Sequence, residues 1–266
     1  MKKVFIMPVL MAVAISVTTC KKADQEMVTV QFSVGNAKIL SAGGEKAAAA
    51  GAVISYNDSI VTGAASFVDL NFGTRGVIRI VENSTVKMAA LKTADGADQA
   101  QFDLDKGKIL VVMAKLSKEA GFTVKTRTTI AAIRGTSFMV VSDPKDSRVY
   151  VLKGKILVQL VKEGKLAGTV EKMLEANKKV IVSEDLVDQI VAGKKDLEVA
   201  ALTPKETADI KKELKDIKAG EKLDAEAKKE LTEMTSDSDS KAGGVKGPGP
   251  VKQKDAPQDI QSLPAI

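Results

Sequence analysis

FTVKTRTTIAAIRGTSFMVV, residues 122–141, decides the fold of this chain. Its Thr, Val, Ile and Phe side chains suit a pleated, half-buried surface. It reads as a strand, a small bend at Thr128-Thr129, and then one long strand over 130–141. Alternation along that strand puts Ile130, Ala132, Arg134, Thr136, Phe138 and Val140 on one face, with Ala131, Ile133, Gly135, Ser137 and Met139 on the other. Arg134 then shares a face with Ile130 and Phe138, where a guanidinium needs a carboxylate or carbonyl partners. Gly135 in mid-strand implies a bulge or a close backbone approach.

The same β pattern extends outward to residues 28–183. Short alternating or wholly apolar runs recur at Val28–Val34, Phe67–Phe72, Gly76–Val81, Lys108–Met113, Phe122–Thr126, Arg148–Leu152 and Lys155–Val161. Asn57-Asp58, Asp95-Gly96, Lys106-Gly107, Asp143-Pro144 and Lys153-Gly154 punctuate them as turns. Many short strands with even turn spacing describe a sandwich, a barrel or a solenoid. LDKGKILV at 104–111 is echoed by VLKGKILV at 151–158, and more faintly by VGNAKIL at 34–40. Each copy reads as a tight Gly turn feeding a strand. Stacked solenoid-like coils are favoured over convergent turn chemistry.

After Ser183 the period changes to that of a helix. Leu186, Val187, Ile190 and Val191 fit one face, with Ser183 as N-cap and Gly193 past the end. Thr203-Pro204-Lys205-Glu206 is a capping box with Pro at the first helical position, and Ile210, Leu214 and Ile217 follow before a stop at Gly220. A further helix after Asp224 carries Ala227, Leu231 and Met234. Residues 184–234 thus form a helical segment whose hairpin packs on itself or on the β domain. Its narrow apolar stripe and many charges read as a solvated structural appendage rather than a partner-binding helix. Residues 235–266, rich in Ser, Asp, Gly, Pro and Lys, read as a disordered tail.

At the other end, Lys2 and Lys3 precede an uncharged run from Val4 to Val17. At about 14 residues it falls short of the roughly 20 needed to span a bilayer. Residues 1–19 read as a signal peptide, and Cys20, the chain's one cysteine, stands where the cut should fall. This resembles the lipobox of bacterial lipoproteins, with Val17 and Thr19 replacing its usual Leu and small residue. The resemblance implies that Cys20 is lipidated and that residues 20–27 tether the fold to a membrane. Multiple acyl chains, at about 0.8 kcal/mol per buried CH₂, would hold it firmly. Lys21, Lys22 and Ala23 include no acid, which favours the outer membrane by analogy with other lipoproteins.

Composition narrows the chemistry. The net charge of +6 is mild and its signs are interspersed, unlike the clustered cations and stacking aromatics of a nucleic-acid binder. There is no Trp, no His and no second Cys. Usual zinc sites, His-based general bases, Ser-His-Asp triads and intramolecular disulfides are therefore excluded. No cofactor or metal is expected. Asp103-Leu-Asp105-Lys-Gly107 carries a fragment of calcium-loop spacing but lacks the closing Glu, and reads as a turn. Ser142-Asp143-Pro144-Lys145 reads as a loop between strands.

The central stretch resembles the FecR domain of exported bacterial proteins, whose hallmark has the form T-P-x-A-x-A-x-R-G-T-x-F-x-V. Arg134, Gly135, Thr136 and Phe138 match it, while the family's Pro is replaced near Arg127 or Thr128. Asn57-Asp58-Ser59-Ile60-Val61-Thr62-Gly63 resembles the family's G-D-x-I-x-T-G turn, and Leu174-Glu175-Ala176-Asn177 its closing L-x-A-G turn. Asn replaces Gly in both, a mild exchange because Asn tolerates left-handed φ. The resemblance spans roughly 30–183 and implies a mainly β, twisted solenoid-like or sandwich-like domain outside the cytoplasm. Well-known members relay signals from an outer-membrane receptor to a cytoplasmic sigma factor. This sequence shows no cytoplasmic domain or spanning helix for that relay. The motif residues Asp58, Thr62, Gly63, Arg134, Gly135, Thr136 and Phe138 are expected to be structural, with an interaction role open. Arg134 is expected to be a strut paired with Asp58 or Asp69.

The expected function is a non-enzymatic, lipid-anchored envelope protein whose β domain senses a signal or binds another envelope protein. The alternative is a structural or adhesive lipoprotein binding peptidoglycan or host molecules. A carbohydrate-active enzyme is a third class, with nothing positive pointing to it.

Overall fold

The computed structural model describes residues 28–92, 98–114, 121–133, 135–217 and 223–236. The signal peptide, Cys20 and its tether, Arg134, Gly220 and residues 237–266 lie outside the described residues. The strands, in chain order, are β1 (Val28–Val34), β2 (Ala37–Ser41), β3 (Gly44–Ala47), β4 (Val53–Ile54), β5 (Ser59–Thr62), β6 (Phe67–Phe72), β7 (Gly76–Ile80), β8 (Thr85–Lys92) and β9 (Asp98–Met113). There follow β10 (Gly121–Lys125), β11 (Thr129–Ile133), β12 (Ser137–Ser142), β13 (Asp146–Lys153), β14 (Lys155–Lys162), β15 (Lys165–Glu175) and β16 (Lys178–Ser183). Helix α1 (Glu184–Val191), strand β17 (Ala200–Ala201) and helices α2 (Pro204–Leu214) and α3 (Ala225–Ser236) complete the chain.

Two sheets face one another and are not closed into a barrel. The first runs β4-β1-β6-β7-β9-β12-β13-β16-β17. The second runs β3-β2-β5-β8-β9-β10-β11-β14-β15. Strand β9 belongs to both, its early residues pairing with β8 and β10 and its late ones with β7 and β12. Pairing is antiparallel except between β9 and β10. Side chains from both sheets merge in one core, where Phe72 of the first sheet meets Phe122 of the second edge-on at 5.5 Å, and Phe102 packs 5.3 Å from Phe122.

The repeated Gly turns are sheet-crossing corners rather than stacked coils. At Gly35 and Gly154 the chain passes from the first sheet to the second, and at Gly107 from the second to the first. Each meets a hydroxyl residue of a neighbouring corner. A Cβ on Gly107 would lie 2.1 Å from Ser84 Oγ, and one on Gly154 would lie 2.5 Å from Thr136 Cγ2. Gly35 faces Ser66 in the same way. Both Gly107 and Gly154 also have positive φ, so these corners demand glycine twice over. The registers Ser142↔Gly107 and Ser137↔Val112 put the Gly107 and Gly154 corners on opposite rims of the sandwich. The first half of the chain folds over one rim and the second half over the other.

This crossing overturns the single long strand expected over 130–141. Strands β11 and β12 lie in different sheets. Ala131 and Ile133 point into the core, and after the crossing Phe138 and Val140 do. Gly135, at φ +111, re-aims the chain and switches its parity, so Ile130 and Phe138 do not share a face. Asp103–Gly107 likewise is not a turn but the interior of β9, where the strand leaves one sheet for the other.

Helices finish the burial. Ser183 Oγ accepts the Leu186 N–H at 3.1 Å, and α1 sets Val187 and Ile190 into the open end of the core. Val191, expected on that face, is 51% exposed. The outer face of the first sheet carries Val77, Leu110, Val112, Met139, Tyr150 and Leu152. Ile210 and Leu214 of α2, Ile217 beyond it, and Ala227, Leu231 and Met234 of α3 cover them. The helical stripe is therefore buried against the β domain, one of the two packings expected for it. Thr203 and Glu206 form the reciprocal capping box of α2. Helix α3 runs through Ser236, two residues into the segment read as tail. Its Glu230 and Glu233 hold Lys153 Nζ at 2.6 and 2.7 Å.

Candidate functional site

The motif residues are distributed between corners and core. Thr62 Oγ1 donates to Val81 O at 2.6 Å and accepts the Ser84 N–H at 3.0 Å. Gly63 donates its N–H to Asn36 O at 2.8 Å. Asp58, nearly buried, closes its own turn by accepting the Ser55 N–H at 2.9 Å. Gly135 and Thr136 pack against Gly154, and Phe138 fills the core. Asn57 and Asn177 take φ of +70 and +61, the left-handed geometry that made them workable replacements for glycine. These residues hold the fold together and do not converge on a common pocket.

The expected pairing of Arg134 with Asp58 or Asp69 lies outside the described residues; among these, Asp69 has a different partner. Arg79 grips it with Nε to Oδ1 at 2.6 Å and a second N–H to Oδ2 at 2.7 Å, both side chains nearly buried. A third guanidinium N–H donates to Glu213 O, tying α2 to the sheet, and the Arg79 guanidinium lies 4.3 Å above the Phe67 ring. Burial pushes the Asp69 carboxyl up, and its Arg79 hydrogen bonds pull it down. The signal for Arg79 lay in the sequence as one cation in the otherwise apolar run Gly76–Val81.

An open rim holds a cavity of about 780 Å³. It forms where β10 and β14 end beside α1, against the middle of β9. Its apolar lining comes from Leu104, Val161 and Val187, and its charged walls carry both signs. Lys125 Nζ donates to Gly164 O at 2.9 Å, Lys162 pairs with Asp188 at 2.8 Å, and Arg127 lies 3.7 Å from Glu184 while donating to Asp143 O. The hydrogen bond to Asp188 raises the Lys162 ammonium. An apolar floor between mixed charges suits a polypeptide better than a small ion. Among the described residues no group of three His, Cys, Asp or Glu is placed to hold a metal, and no helix is long and apolar enough to cross a membrane.

Residues 58–157 match the family model described as FecR protein, so the chain carries a FecR domain, which points to signalling or protein interaction. Two crystal structures of a proposed anti-sigma factor from Parabacteroides distasonis, at 1.65 and 2.50 Å resolution, are similar at 16% identity and a TM-score of 0.42. The similarity covers 57% of this chain and 64% of theirs. No curated protein matches.

Proposed function

We propose that this chain is a non-enzymatic, lipid-anchored protein of the cell envelope, held at the outer membrane through Cys20, whose FecR domain binds another envelope protein in sensing or signalling. The observation that carries this reading is the FecR match with its motif side chains engaged in corners and core. The motif builds a scaffold, and recognition is left to exposed surfaces such as the open rim. The absence of His and of a second Cys removes imidazole-based and dithiol chemistry from the candidates. The N-terminal pattern around Cys20 supports the anchor.

Membrane fractionation and radiolabelled palmitate incorporation, run on wild type and Cys20→Ala, test the anchor. The wild type should label and sediment with outer membranes, whereas Cys20→Ala should do neither. A Cys20→Ala protein that stays with membranes would refute the lipid reading. Site-specific photo-cross-linking from Lys125 and Arg127 in living cells tests the partner. A discrete adduct with an envelope protein is expected. Adducts only to peptidoglycan or host matrix would instead establish the structural or adhesive role.

A further inference from the structure

The helices that cover the outer face of the first sheet leave the C-terminal end of β1 exposed. Phe32 and Val34 of β1 are 49% and 37% exposed. Their register with Asp69 and Phe67 puts them on the outer face, and the Phe32 ring lies 6.0 Å from Phe67. On its other flank β1 pairs with β4 only at Val28 and Thr29, and Val30 bonds to Gly51 and Ala52. Beyond the irregularity at Gln31, the segment Phe32–Val34 has β6 as its sole partner strand among the described residues. An open strand edge with apolar side chains two residues apart is the template that β-augmentation uses.

A cavity of about 360 Å³ adjoins this edge at Phe67, between the sheet and the C-terminal turn of α2. Glu82, Glu213 and Asp216 line it against Lys212; Arg79 is neutralised by Asp69, and Glu213 lies 3.7 Å from Lys108, which leaves an excess of one negative charge. The pocket is thus locally acidic on a chain whose net charge is +6. We propose that this edge and pocket dock an extended segment of a partner protein, one with alternating apolar residues followed by Lys or Arg. The strand edge takes the segment's backbone, Phe32 and Val34 take its apolar side chains, and the acidic pocket takes its cation. A second copy of this chain fits less well, because β1 reads VTVQFSV and brings no cation to the pocket.

This inference rests on the protein-interaction reading but not on the lipid anchor. It is tested on the purified chain with a fluorescein-labelled probe peptide, KVKFKVRK, by fluorescence anisotropy. Binding should be saturable and should fall about tenfold or more with Phe32→Ser or Val34→Ser, as for a central apolar anchor. A probe with Pro at its centre, which cannot add as a strand, should bind as weakly. A probe with Glu in place of Lys and Arg should lose affinity as well. Amide exchange should show new protection confined to Phe32–Val34. Equal binding of the Pro probe, or binding indifferent to Phe32→Ser in a variant with wild-type melting, overturns the proposal. A concentration-dependent dimer abolished by Phe32→Ser overturns it in favour of self-association. Failure here leaves the photo-cross-linking from the open rim standing, so the two readings fail separately.

Discussion

Gly107→Ala isolates the corner geometry on which the sandwich depends. The added Cβ would lie 2.1 Å from Ser84 Oγ and 2.5 Å from Ser84 Cα, and the backbone is held at φ +98. Forcing a side chain into that conformation costs about 1–3 kcal/mol. Pushing the neighbouring corner aside costs about 1–3 kcal/mol more, as overpacking does in cores. Gly164→Ala supplies the control, because its φ is also positive, at +78, yet nothing lies within 4 Å of its Cβ. Urea denaturation should therefore show Gly107→Ala less stable than Gly164→Ala by about 1–3 kcal/mol, the overpacking part alone. Adding Ser84→Ala should not rescue Gly107→Ala, since the Ser84 backbone is itself in the way. It should cost about 1 kcal/mol of its own through the lost Lys108 N–H bond to Ser84 Oγ. If Gly107→Ala is as mild as Gly164→Ala, or if Ser84→Ala restores it, the corners are not packed as described and the reasoning fails.

Asp69→Ala strands the buried Arg79 and should cost about 3–5 kcal/mol, while the double change Asp69→Leu with Arg79→Met should recover most of it. Equal losses in the two proteins, read by denaturation, would contradict a buried pair. Leu231→Ala should cost about 2–5 kcal/mol and raise amide exchange at Leu110 and Val112 beneath it. Unchanged exchange there would mean that α3 does not cover the sheet. Glu206 is held at about 2, below its usual 4.5, chiefly by its hydrogen bond to Lys179 and then by the Thr203 N–H. Its folded value is depressed, so its contribution is complete above about pH 4.5 and disappears as pH falls through 2. Screening at this partly exposed site limits it to roughly 1 kcal/mol. Glu206→Gln should thus destabilise at pH 7 and converge on wild type near pH 2; a gap constant across that range would refute the assignment.

Much of this fold was readable before any coordinates. Val28–Val34 and Phe67–Phe72 are strands within the limits their apolar runs set. Thr203 and Glu206 cap a helix because the capping box is a local device, complete within four residues. Asn57 and Asn177 take left-handed φ for an equally local reason. The misread elements are those whose meaning depends on distant chain. Residues 130–141 alternate like one strand, yet Gly135 turns them between two sheets, and alternation carries no mark of a change of sheet. Asp103–Gly107 has turn composition, yet β8 pairs with it from Asp103 to Lys106 and β12 takes over at Gly107, which keeps it extended. No local pattern marks Asp69 as the partner of Arg79; only the β6–β7 register sets the two opposite one another.

The amino-acid sequence by itself determined the β class, the helix caps, the FecR motif and the chemistry that the absence of His and a second Cys removes. These depend on local φ/ψ preference, on alternation and on composition, which neighbouring residues settle among themselves. The tertiary structure alone decided that the repeated Gly turns are corners on opposite rims, that β9 serves both sheets, and that β1 keeps an open edge beside an acidic pocket. Those outcomes follow from pairing and packing between residues far apart in the chain. Only when the sheets stack does a glycine meet its serine, or a strand lack a neighbour.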